Sequence, residues 1–381
     1  MMAGDAMIGA LRSRPVTVVG GGVAGLTAAL ALARRGAEVV VLERAPVIAE
    51  VGAGLQLSPN AMRVLDALGL GPAIDALSLP STAVRLRDRR GGDVARLDLT
   101  RRPDARFRLI HRARLIEVLE QAARAAGVRI VLGRTVETPP DAALLIGADG
   151  LHSRVRAALN GREVPFFTGQ TAWRAVIADH GATAPEAQIL MGPGRHLVSY
   201  PLAGGLRNIV AVLETRDWQD EGWSRPDDPA NLRATFADFR GPVPGWLARV
   251  NEVHVWGLFR HEVARVWQDG RTAILGDAAH PTLPFMAQGA CMAIEDAWTL
   301  AACLDAIPDQ GAALARYEGL RAPRAARIVE AANANARNYH LTGPRRLAAH
   351  AALRLSSRVA PGAILGRFDW IYDFDPMAET P

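Results

Sequence analysis

Residues 15–43 read PVTVVGGGVAGLTAALALARRGAEVVVLE, and the fold follows from how this stretch divides. Pro15–Val19 is a run of mostly β-branched residues, the signature of a short buried strand. Gly20, Gly22 and Gly25 follow at GxGxxG spacing. The Ala/Leu-rich residues 22–35 predict a helix that Gly36 ends. Glu38–Leu42 is a second β-branched strand, closed by Glu43. Strand, helix and strand in this order require a parallel pair joined by a right-handed crossover. In such a unit the first glycine permits a tight turn and the second lets a pyrophosphate approach the backbone. The third lets the helix pack closely on the strand. The helix N-terminus then faces the anion. Glu43 lies near the offset of about 20 residues at which an acid reaches ribose hydroxyls. The pattern predicts dinucleotide binding by Gly20, Gly22, Gly25 and Glu43, with Arg44 counted beside Glu43 in the cofactor site.

Val16–Ala33 also holds eighteen residues without a charge, after Arg12 and Arg14. By length alone it could be a membrane span or a signal-peptide core. The glycines at 20, 21, 22 and 25, and the change from a β-branched half to an Ala/Leu half, argue for strand, turn and helix instead. Residues 1–14 read as a loose leader or an alternative start.

Composition narrows the chemistry. The chain has 381 residues, is 49% hydrophobic and 22% charged, and carries a formal charge of +5. This is a globular composition, large enough for one compound domain or two ordinary ones. There is no lysine, so all 44 basic residues are arginine. A P-loop lysine and a lysine Schiff base are therefore excluded. The arginines are dispersed among acids without a long basic run, which argues against nucleic-acid binding. Cys291 and Cys303 are too few for a disulfide framework and fit a reducing, cytoplasmic setting as small buried residues.

Further along, residues 83–99 read as two strands around Gly91-Gly92-Asp93. Leu115–Ala126 reads as an amphipathic helix, and Val128–Leu132 and Leu144–Ala148 as strands. The character then changes. Alternating runs at Ala172–Ala178, Gln188–Met191, His196–Leu202, Asn208–Leu213 and Val253–Phe259 predict a mostly antiparallel sheet, with tryptophans such as Trp173, Trp218, Trp223 and Trp256 among them. Thr272–Leu275 returns to the short buried-strand pattern, and from about residue 290 the chain reads as helical. The expected class is mixed α/β (α+β): a Rossmann-like dinucleotide-binding domain, which the resemblance given below makes an FAD/NAD(P)-binding one, an inserted antiparallel β-sheet substrate domain and C-terminal helices. The expected boundaries are 1–82 with 100–164 and 262–330 for the first, 83–99 with 165–261 for the second, and 331–381 for the helical segment.

Two more motifs carry chemistry. In Gly147-Ala-Asp149-Gly150-Leu-His-Ser153-Arg-Val-Arg156 a strand ends in a carboxylate and a glycine, and a helix starts with Ser153 at its cap. Alone, this is also an ordinary strand-to-helix corner. In Gly276-Asp277-Ala-Ala-His280-Pro281, continuing through Pro284, Gln288, Gly289, Glu295 and Asp296, a strand delivers an acid suited to sugar hydroxyls. A helix start near Gly289 then suits a flavin ring or phosphates.

Together these motifs resemble the group A flavoprotein monooxygenases of the p-hydroxybenzoate hydroxylase fold, from Val16 to about Asp375. The strings GADGLHSRVR and GDAAHPTLPFMAQGACMAIEDA are similar to that family's DG and flavin-ribose motifs. They look nearest the branch of salicylate, 3-hydroxybenzoate 6- and 6-hydroxynicotinate hydroxylases. The resemblance implies noncovalent FAD, with Glu43 on the adenosine ribose and Asp277 on the ribityl chain. It places Arg112 and the Pro284–Gly289 loop by the flavin, and gives Asp149 and Gly150 to both FAD and NAD(P)H. It further implies that NADH or NADPH reduces the flavin, and that dioxygen then forms a flavin hydroperoxide that hydroxylates a small aromatic substrate. Ala290 departs from the glycine of many relatives, and the family's optional thioredoxin-like C-terminal domain is not expected.

On the substrate side, His196 and Tyr200 lie four apart on one strand and so face the same way. Their segment resembles the branch's substrate wall, and Gln288 its substrate-facing glutamine. His196 is the expected proton acceptor, because an unperturbed imidazole titrates near neutrality. Packing within the sheet is the competing reading for His196 and Tyr200. His111, His180 and His261 receive no role, and His280 reads as structural. Alternatives are a non-catalytic flavoprotein, a hydroxylase of a polyketide or quinone precursor, and a flavin halogenase. The halogenase is disfavoured by the missing lysine and Trp-x-Trp segment. A monomer or homodimer without a membrane segment is expected.

Overall fold

The computed structural model describes residues 9–48, 53–181, 184–215 and 225–381. Trp218 and Trp223 lie outside the described residues. The glycine-rich stretch folds as its pattern requires: strand Pro15–Val19, helix Val23–Ala33, strand Glu38–Leu42, with the two strands parallel and in register from Pro15↔Glu38 to Val19↔Leu42. They belong to a parallel five-stranded sheet in the order Thr272–Ile274, Leu145–Gly147, Pro15–Val19, Glu38–Leu42, Arg129–Val131. Val16, Val18, Val39, Val41, Ile146 and Ile274 are buried within it, as the apolar runs demand, while Ile130 and Val131 of the edge strand are half-buried. Helices Val23–Ala33, Arg112–Ala125 and Gly289–Ala306 join it in the main core, around Val18, Leu26, Leu119 and Ile294. Among the described residues no helix is long and apolar enough to cross a membrane.

The second sheet has eight strands, ordered Arg225–Asp227, Val253–Arg260, Phe166–Ala178, Leu206–Glu214, Arg195–Leu202, Glu186–Gly192, Ala83–Asp88, Asp93–Asp98. The hairpin around Gly91 thus joins strands a hundred residues downstream through one parallel pair, Ala83–Asp88 with Glu186–Gly192. The remaining pairs are antiparallel. One face, carrying Trp173, packs on Phe236, Phe239 and Trp246. The other faces the parallel-sheet layer and carries the site.

Two features depart from the sequence reading. A three-stranded sheet of Gly54–Leu57, Arg108–His111 and Ser78–Pro80 bridges the two layers, and no sequence pattern marked its strands, each only three or four residues long. The helix Gln310–Tyr339 runs unbroken across the boundary drawn at residue 330, tolerating Pro323 within it.

Candidate active site

The glycine loop is shaped by close approach. Gly20 has φ +106°, and a side chain on Gly25 would run into the Gly20 carbonyl. A Cβ on Gly22 would meet nothing within 4 Å, because Gly22 faces a cavity at the helix N-terminus. That cavity measures about 680 Å³, a size ordinary for ligand sites. Gly22, Arg112, Gly150, Asp277, Pro284 and Gly289 line it, as do Gln288, next to Gly289, and His196 and Tyr200 from the strand Arg195–Leu202. Among the described residues nothing hydrogen-bonds the half-buried Asp277 carboxylate, which borders the cavity from the turn Gly276–Ala278. An open glycine cradle at a helix N-terminus and an unclaimed acceptor fit a dinucleotide with a polyhydroxyl chain.

Five of the predicted cofactor residues do not line the cavity: Gly20 and Gly25 shape the loop behind it, and Glu43, Arg44 and Asp149 lie off its wall. Glu43 closes the loop from the side: its Oε2 accepts from Gly21 N at 2.6 Å and its Oε1 from Ala45 N at 2.8 Å. Arg44 is exposed beside it. Asp149 accepts from Ser153 Oγ and from Arg154 N at 2.7 Å, so it caps the helix Arg154–Asn160 together with Ser153. Its neighbours Gly150, Leu151 and His152 line the cavity in its place.

His196 and Tyr200 both border the cavity and are both buried. Burial raises the Tyr200 phenol far above its ordinary value, against a weaker opposing pull from Arg174. Burial, and then the neighbouring His340, hold His196 well below the ordinary histidine value, so its imidazole is neutral at pH 7. His196 Nδ1 lies 2.7 Å from His340 Nε2, and His340 Nδ1 lies 2.7 Å from Glu214 Oε1. Gln288 is held at both ends of its amide: Asn60 Nδ2 donates to its Oε1 at 3.2 Å, and its Nε2 donates to Ser58 Oγ at 3.0 Å. One N–H and one lone pair of the amide are left for a ligand.

The sequence matches the FAD binding domain family over residues 13–141 and 137–332. It is 37% identical over 387 residues to 3-amino-4-hydroxybenzoate 2-monooxygenase of Streptomyces platensis, covering 94% of this chain and 96% of that protein. It is 34% identical over 394 residues to 3-hydroxybenzoate 6-hydroxylase of Polaromonas naphthalenivorans, covering 95% and 96%. The solved structure of Klebsiella pneumoniae HpxO with FAD and uric acid superposes with a TM-score of 0.81 at 25% identity, over 97% of each chain. This chain belongs to the FAD-dependent aromatic monooxygenases.

In this monooxygenase the loop carrying Asp277 is braced from behind by buried charge. Asp296 Oδ2 accepts from Gly276 N at 3.0 Å and meets His280 Nε2 at 2.5 Å, and Asp296 Oδ1 accepts from Arg321 Nε at 2.7 Å. Glu295 pairs with Arg321 at 2.7 Å and Arg324 at 2.8 Å, and accepts from Asn60 Nδ2 at 2.5 Å. Burial alone would raise Asp296; His280 and Arg321 outweigh it and hold the carboxyl at about 2. Both cysteines are free, and burial pushes their thiols up to about 11.

Sequence reasoning missed Gly54, Arg174 and His261 of the wall. Gly54 packs so tightly that a Cβ would lie 2.6 Å from Tyr200 Cε2, and its N–H donates to Asn208 Oδ1 at 2.8 Å. Arg174 stacks on Trp256 at 4.1 Å from the ring centre and lines the cavity. His261, given no role, also lines it. Arg174 sits in a strand whose alternation was readable, but no motif marked it, and Gly54 sits in a strand too short to show a period.

Proposed function

We propose that the chain hydroxylates a small aromatic carboxylate bearing a ring hydroxyl, with NAD(P)H and dioxygen as co-substrates. One observation carries this reading: a single cavity joins the dinucleotide cradle and Asp277 to the buried pair His196 and Tyr200. Two relatives bear the names of enzymes acting on hydroxybenzoates, which supports the substrate class. Bound FAD, reduced by NAD(P)H, supplies the activated oxygen. The remaining work falls to side chains. Glu43 and Asp277 hold ribose and ribityl hydroxyls, and Arg112, Gly150 and the Pro284–Gly289 loop seat the ring. Asp149 acts on both nucleotides through the corner it caps. His196 takes the ring-hydroxyl proton, which raises electron density in the ring. Tyr200 and Gln288 orient the substrate, and Arg174, flat on Trp256, pairs with its carboxylate. The two reduced cysteines agree with work in the cytoplasm, as a monomer or homodimer.

His196→Ala tests this reading. The imidazole's depressed pKa keeps its basic form present at neutral pH, and that form is lost only as pH falls through the depressed value. Without it, hydroxylation slows by about 10²–10⁴, while FAD stays bound and NAD(P)H oxidation turns toward hydrogen peroxide. The ratio of product to NAD(P)H consumed should fall, and should recover as rising pH ionises the substrate in solution. An unchanged ratio at every pH makes His196 a packing residue.

A further inference from the structure

His196 stands on the strand Arg195–Leu202, bordering the cavity. His340 is the first residue beyond the helix Gln310–Tyr339, and Glu214 ends the strand Leu206–Glu214. Three separate elements therefore bring three titratable groups into line, with both contacts at 2.7 Å. Exposure changes along the line: 1% at His196, 6% at His340 and 52% for the Glu214 side chain. The line starts at the cavity and ends in solvent.

Its tautomers follow from its outer end. An ionised carboxylate only accepts, so His340 Nδ1 carries the hydrogen and His340 Nε2 a lone pair. That lone pair accepts from His196 Nδ1, so the His196 hydrogen sits there. His196 Nε2 is then left with a lone pair and no partner on its own sheet. This is the form of imidazole that accepts a proton.

We infer that His340 and Glu214 complete a proton path from the substrate to solvent, with His196 as its inner end. The inference rests on the hydroxylase reading above. As the ring hydroxyl gives its proton to His196 Nε2, the Nδ1 proton of His196 passes to His340 Nε2. The Nδ1 proton of His340 passes to Glu214, which releases it to water. One proton enters, one leaves, and both imidazoles end neutral with their tautomers exchanged. Without this path an imidazolium would remain where desolvation opposes it. Among the described residues, Tyr339 and Phe285 pack on the His196 ring, and Gln170 Nε2 lies 3.4 Å from His340 Nδ1. Among the described residues, the titratable groups in contact are Tyr339 and His340 for His196, and His196 and Glu214 for His340. His340 and Glu214 are positioning and relay residues, and neither lines the cavity itself.

Glu214→Gln is the test, because it keeps shape, removes the charge and changes a half-exposed side chain. Bound FAD per chain serves as the control on folding. In the ¹⁵N-histidine NMR spectrum of the FAD-loaded parent at neutral pH, His196 should show hydrogen on Nδ1 and a bare Nε2. Glu214→Gln should lose that preference. Its ratio of product to NAD(P)H consumed, with 3-hydroxybenzoate or 3-amino-4-hydroxybenzoate, should fall by roughly tenfold to 10²-fold at neutral pH, up to the low end for a positioned acid–base group, and recover as pH rises. Glu214→Asp, which keeps the charge, should restore most of the ratio. Hydrogen on Nε2 of His196 in the parent, or a Glu214→Gln pH profile identical to the parent's, overturns the path. If the parent turns over neither compound, the substrate reading fails, and the histidine spectra still decide the path by themselves.

Discussion

At the scale of single residues the site depends on close approaches and unclaimed acceptors. Gly54 has no room for a side chain against Tyr200. Gly54→Ala should displace the phenol and lower the yield of hydroxylated product per NAD(P)H, with FAD content unchanged. A parent-like yield would show that Tyr200 does not orient the substrate. Asp277 borders the cavity, and among the described residues nothing hydrogen-bonds its carboxylate. Removing a charge-assisted hydrogen bond costs roughly 1.5–3 kcal/mol, so Asp277→Ala should weaken FAD about ten- to a hundredfold in a fluorescence titration. Equal affinity would move the ribityl contact elsewhere. Period-two spacing was enough to place His196 and Tyr200 on one side of a strand. It was silent on His340, which reaches His196 from 144 positions away through the end of a helix. Asp149 looked the same in either role, because a carboxylate before Ser-Arg-Val caps a helix whether or not it also meets a cofactor.

At the scale of elements, the turn at Gly276–Ala278 is pinned by the helix Gly289–Ala306 through Asp296. Asp296 sits at about 2 in the fold against 3.8 unperturbed. A carboxyl lowered by folding contributes stability above its unfolded value, and that contribution disappears as pH falls through the folded one. The brace should therefore hold at neutral pH and weaken from about pH 4 down to about pH 2, visible as acid unfolding by circular dichroism. Asp296→Asn breaks a buried pair, which typically costs about 3–5 kcal/mol. It should lower the thermal midpoint at pH 7 and narrow its difference from that at pH 3. Equal pH dependence in parent and variant would remove Asp296 from the brace. The long periodic elements here were legible because buried parallel strands and Ala/Leu helices carry strong patterns. The three-stranded bridge was not: Gly54–Leu57 and Ser78–Pro80 are too short to show a period, and their pairing with Arg108–His111 is a tertiary choice.

At the scale of the molecule, two layers meet around one cavity, and the account stands on that meeting. The parallel layer was readable from residues 15–43, and the flavin-ribose string tied Asp277 to it across more than two hundred residues. The sheet layer was readable as alternation. Its join to the Ala83–Asp98 hairpin was not, because a parallel pair between distant strands leaves no local mark. The FAD-loaded protein with NAD(P)H should insert one atom of dioxygen into a hydroxybenzoate. The direct measurement is mass spectrometry of the product formed under ¹⁸O-labelled dioxygen from 3-hydroxybenzoate, 3-amino-4-hydroxybenzoate and related ring acids. A product carrying a single labelled oxygen is expected from at least one of them. NAD(P)H consumption that yields only hydrogen peroxide across the panel, or a product whose new oxygen comes from water, would contradict it.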